Sequence, residues 1–104
     1  MRRQHQFKFK PTVVFADVEK ILQISLFAVS GIYGHAAVRL HVSYERDAES
    51  RAITIDTSSA IGEDVARSFT ELLTREVGEA GFVVSMIDDG GDDPDWPLEE
   101  ASVP

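Results

Sequence analysis

Three histidines, a run of hydroxyls and a cluster of carboxylates are the residues in this 104-residue sequence whose types suit chemistry. His35 and His41 are candidate acid–base groups or metal ligands, because imidazole titrates near neutral pH and coordinates through either ring nitrogen. No acid sits at a helpful interval from either, so spacing alone assembles neither a dyad nor a ligand set. Thr57-Ser58-Ser59, just ahead of a helical pattern, offers hydroxyls and free backbone N–H groups suited to a phosphate or carboxylate. Glu63 and Asp64 close behind would repel such an anion, and helix N-capping accounts for the hydroxyls. Asp88, Asp92 and Asp95 imitate a calcium loop only loosely, without the ligand spacing and later bidentate Glu of an EF-hand. Cysteine is absent, which excludes disulfides, zinc–thiolate sites, iron–sulfur clusters and thiol nucleophiles. The expectation is therefore no catalytic residue, no metal and no cofactor.

Recognition chemistry is better represented. The only tryptophan, Trp96, lies in Asp93-Pro94-Asp95-Trp96-Pro97-Leu98-Glu99-Glu100. An aromatic anchor set among acids and prolines suits docking into a groove with a basic rim. Seven of the 18 acids fall in residues 88–104, which hold no Lys or Arg, so residues 1–87 carry ten basic and eleven acidic groups. The body is thus nearly neutral, and the overall charge of −8 belongs to the end of the chain. Lys8, Lys10, Arg39 and His41, with Thr54 and Asp56, are expected on an open sheet face; together with Trp96 the four basic residues form the candidate interaction surface. Without stacking aromatics on that face or a positive excess, nucleic acid is not the expected partner.

These residues need elements to position them. His5, Phe7 and Phe9 alternate with Gln6, Lys8 and Lys10, which predicts a strand over residues 5–10 ended or bent by Pro11. Asp17 is a suitable N-cap for a helix whose apolar residues recur at 18, 21, 22, 26 and 29. Ile24, Phe27 and Ala28 widen that stripe, which predicts a helix buried on more than one side, ending at Gly31 or Gly34. Val38, Leu40, Val42 and Tyr44 alternate with Arg39, His41, Ser43 and Glu45, which predicts a second strand. A short polar loop over residues 46–50 leads to a partner strand containing Ile53 and Ile55. Val65, Phe69, Leu72, Leu73, Val77 and Ala80 predict a second helix, with Gly81 as its terminator and residues 82–87 as the last strand.

The predicted order is strand, helix, strand, strand, helix, strand. Its compact solution is a ferredoxin-like βαββαβ sandwich: a four-stranded antiparallel sheet, first and third strands central, with both helices on one face. The expected organisation is an α+β domain over residues 1–87 and a disordered acidic tail over residues 88–104. Met1-Arg2-Arg3 leads into Gln4-His5-Gln6 with no apolar signal core behind it, so the expected location is the cytoplasm. The function expected is a non-enzymatic interaction or regulatory domain, self-associating as a homodimer through an edge strand or the open sheet face. The alternative is a small-ligand sensor similar to amino-acid-sensing ACT domains, with the ligand near residues 31–35 or at a dimer interface. Pro11 matches half of the Pro-Gly pair usual before the first helix of those domains; no glycine follows until Gly31.

Overall fold

The computed structural model describes residues 3–88. Trp96 and the rest of the acidic segment beyond Asp88 lie outside the described residues. Strand β1 (Arg3–Phe9) turns Phe7 and Phe9 into the core and Lys8 away from it, as period-two alternation requires. Helix α1 (Phe15–Tyr33) begins two residues before the expected cap: Val14 is the N-cap, in extended conformation and without a side-chain bond, and Asp17 lies in the first turn. Its core stripe is Val18, Ile21, Leu22, Ser25 and Val29. Ser25 is fully buried because its hydroxyl donates to the Ile21 carbonyl at 3.0 Å. Gly34, at φ +98°, ends the helix by donating its N–H to the Ser30 carbonyl at 2.8 Å.

From Gly34 the chain bends by 117° into a helix where a strand was expected, α2 (His35–His41). The backbone bonds Val38 N–H to Gly34 carbonyl (3.2 Å) and Val42 N–H to Val38 carbonyl (3.0 Å) make this turn helical. The alternation of residues 38–44 is real but short, and His35-Ala36-Ala37 ahead of it favours helix. Only Val38 of α2 reaches the core. The second strand shrinks to β2 (Tyr44–Asp47), so Arg39 and His41 leave the sheet. Arg46 and Asp47 belong to the strand rather than the loop, and the Asp47 carboxylate accepts from the N–H groups of Glu49 (3.1 Å) and Ser50 (3.3 Å) to shape the turn.

Strand β3 (Ala52–Asp56) buries Ile53 and Ile55 as expected. Ser59 then caps α3 (Ala60–Glu76), its hydroxyl accepting from Gly62 N–H at 3.0 Å. Helix α3 ends at Gly78, φ +92°, and not at Gly81, which sits in a single 3-10 turn (Glu79–Gly81). Strand β4 (Phe82–Asp88) completes the fold. The sheet order is β2-β3-β1-β4 and every pairing is antiparallel, so β1 and β3 are central. One core joins Phe7, Phe9, Ile53 and Ile55 of the sheet to the inner stripes of α1 and α3. Phe69 meets Phe7 edge-to-face at a centroid distance of 4.8 Å in its middle. No single helix among the described residues is long and apolar enough to cross a membrane.

Candidate functional site

The structure distributes the predicted surface over three places. Register puts Lys8 opposite Ala52 on one side and Val83 on the other, with Asp47 one strand further, so Lys8 does lie on the open sheet face. The neighbouring row is Glu45, Thr54, Gln6 and Ser85, which is polar but not basic. Asp47 is held below the usual carboxylate range by its bonds from Ser50, and the charge of Lys8 adds to this. Lys10 lies just past β1, its N–H on the Gly81 carbonyl at 3.0 Å. Arg39 and His41 stand exposed on α2, at the opposite end of the sandwich from Lys10. The expected basic sheet face therefore reduces to a single lysine beside an aspartate.

The hydroxyl run is committed internally. Thr57 Oγ1 donates to the Arg3 carbonyl (3.2 Å), Ser58 Oγ accepts from Arg3 N–H (2.9 Å), and Ser59 Oγ donates to the His41 carbonyl (3.2 Å). His5 Nδ1 and Thr57 Oγ1 share a 3.0 Å hydrogen bond, in which Nδ1 is the donor when the Thr57 proton is on the Arg3 carbonyl. Burial holds the His5 imidazole below its ordinary value; Glu63 pulls it up and Arg3 pushes it down. An open cleft of about 530 Å³ beside α3 collects His5, Glu63, Arg67 and Thr70. No group of three histidine or acidic side chains that could hold a metal ion occurs among the described residues.

The two sheet edges differ sharply. Edge β2 is four residues long, and three of them, Glu45, Arg46 and Asp47, are charged. Arg46 is further tied to Glu19 on α1. Charges and shortness are the usual protection of an edge against pairing with another chain. Edge β4 is seven residues long and has no charge before Asp88, no proline and no glycine. Lys10 N–H bonds to the Gly81 carbonyl, so Val83, Ser85 and Ile87 pair with β1 in the same phase. The N–H and C=O groups of Phe82, Val84 and Met86 accordingly turn outward along the edge. Beside them Val83 is 56% and Met86 52% exposed, with Val84 and Ile87 partly so.

A second apolar surface lies on the helix layer. The sequence predicts that Ile24 and Phe27 extend the buried stripe of α1; instead they lie on its outer side, Phe27 being 81% exposed. Ile32 and Leu40 are likewise exposed around the α1–α2 bend. A helical wheel at 100° per residue sets Phe27 about 180° from the centre of the Val18–Leu22–Ser25 stripe, a signal the sequence did contain. Between α1 and α2 opens a cleft of about 490 Å³ lined by Leu26, Phe27, Val38, Val42 and Tyr44 and by the polar Gln23, Ser30, His35 and Arg39.

In comparisons with known proteins, no family, no curated protein and no solved structure matches the chain.

Proposed function

We propose that the protein is a non-enzymatic interaction domain that self-associates by pairing β4 with the β4 of a second copy. The order β2-β3-β1-β4 supports reading it as a ferredoxin-like sandwich whose first crossover carries the additional helix α2. The observation behind the proposal is the contrast between its edges: a charged, four-residue β2 and a mostly apolar β4 with no charge before its last residue, Asp88. Pairing would satisfy the outward N–H and C=O groups of Phe82, Val84 and Met86. It would also cover Val83, Val84, Met86 and Ile87, all exposed in the single chain. A two-fold axis closes the assembly at two copies and requires an antiparallel pair. That arrangement also places the two Asp88 ends, each followed by acids, at opposite ends of the joined edge.

The test is sedimentation across the micromolar range with the wild type and Val84→Lys. Val84 is partly exposed, so a lysine there keeps its ammonium in water in the single chain, but two would face each other across the axis. The wild type is expected to sediment as a dimer and Val84→Lys as a folded monomer. A wild type that stays monomeric to high micromolar concentration would sink the proposal, as would a dimer indifferent to Val84→Lys.

A further inference from the structure

The apolar surface around the α1–α2 bend needs an occupant, and charge narrows the choice. Residues 20–44 contain no Asp or Glu in a chain that has 18 acids; the basic side chains that line the cleft are His35 and Arg39. This is a cleft with an apolar wall, Arg39 and His35 among its polar lining and no acid, on a folded body that is otherwise nearly neutral. Residues 89–104 have the opposite character: Asp89, Asp92, Asp93, Asp95, Glu99 and Glu100, no Lys or Arg, and Trp96 and Leu98 as large apolar side chains.

The path is short enough. Asp88 pairs with Arg3, whose neighbours in space are Thr57 and Ser58, while Ser59 bonds to the His41 carbonyl of α2. The chain thus leaves β4 at the end of the sandwich where α2 and the end of α1 lie. Three strand spacings, about 14 Å, separate β4 from β2, into which α2 leads after two residues. Trp96 is eight residues beyond Asp88 and can reach about 26 Å. Lys8 and Lys10 lie toward the other end of β1, where Lys8 already has Asp47 beside it.

We propose that the acidic segment of the same chain folds back onto this cleft. Trp96 lies against Phe27 and Tyr44, and the carboxylates flanking it meet Arg39 and His35. Covalent attachment supplies an effective concentration far above that of a free partner, so modest complementarity suffices. A screening length of about 8 Å at physiological salt confines the ionic part to direct contact. A membrane surface is the less suitable occupant, because the nearly neutral body offers no basic excess for anionic lipid and the acids after Asp88 oppose it.

Trp96 is the only tryptophan, so the full-length protein reports on the contact directly. Its emission maximum and acrylamide quenching are measured in the native protein, in urea, and in Arg39→Glu and Phe27→Ser, both exposed positions that leave the core untouched. The expected result is blue-shifted emission and several-fold weaker quenching in the native protein. Either substitution should return both to the denatured values with unchanged far-UV circular dichroism. The protection should persist on dilution and in the monomeric Val84→Lys variant, which separates this inference from the β4 pairing. Native Trp96 that behaves as in urea would overturn it. So would protection lost on dilution, protection indifferent to both substitutions, or protection that arises only when anionic vesicles are added.

Discussion

Arg51 holds together two loops that meet at one end of the sandwich, and its removal has a calculable effect. Its guanidinium donates from Nη2 to the Lys10 carbonyl at 2.8 Å and to the Val13 carbonyl, with a longer 3.4 Å contact from Nε to the Phe9 carbonyl. The β1–α1 connection is thereby fixed to the start of β3. Its backbone sits at φ +56°, the only non-glycine residue with positive φ among those described. A hydrogen bond to a charged group contributes about 1.5–3 kcal/mol, and water can replace part of two such bonds at a half-exposed site, so Arg51→Ala should cost about 2 kcal/mol. Alanine keeps the left-handed strain, whereas glycine relieves about 1 kcal/mol of it, so Arg51→Gly should be the milder change. Urea unfolding at one fixed protein concentration reads both, the midpoints shifting without change in slope. Arg51→Ala within about 0.5 kcal/mol of wild type, or Arg51→Gly the more damaging of the two, would refute the reasoning.

Two further outcomes test the fold near the candidate surfaces. A Cβ added at Gly62 would sit 2.2 Å from the Asp56 carbonyl oxygen, which is backbone and cannot swing away, so Gly62→Ala should destabilise by about 1–3 kcal/mol; an unchanged urea midpoint would contradict that packing. Burial lowers the His5 pKa from 6.5, so the folded chain binds fewer protons than the unfolded one below that pH. The stability from neutral His5 is therefore whole above pH 6.5 and is lost as pH falls through the lower folded value. His5→Gln should flatten the decline in melting temperature between pH 7 and about pH 5, where histidine titrates but most carboxylates do not; an equally steep decline in the variant would show that another group is responsible.

Where local pattern and global packing agree, the elements were legible. Phe7 and Phe9, Ile53 and Ile55, and the Val65–Phe69–Leu73 stripe each had one periodicity and one way to bury it. The hydroxyl run was correctly read as a cap, and the structure identifies Ser59 as the capping residue. The region of residues 35–44 failed because its alternation competes with helix-favouring alanines over too few residues to arbitrate. Arg39 and His41 were misplaced as a consequence. Terminating α3 at Gly81 rather than Gly78 was the same kind of error, two glycines three residues apart with no local preference between them. Arg51 left no local trace, since its partners Lys10 and Val13 lie some forty residues upstream.

By itself the sequence determined the number of strands, the two long helices, the inward residues of β1 and β3, and the separation of an acidic end from a nearly neutral body. Those follow from periodicity and composition, which are properties of neighbouring residues. The outward direction of Phe27 was already written in the helical spacing of α1, whereas only the tertiary structure decided that β4 is the unguarded edge while β2 carries the charges. It alone placed the end of β4 at the same end of the sandwich as α2 and away from Lys10. Each of these depends on which segments become neighbours across the sheet. That choice is made by packing the whole core at once and is not written in any single stretch of chain.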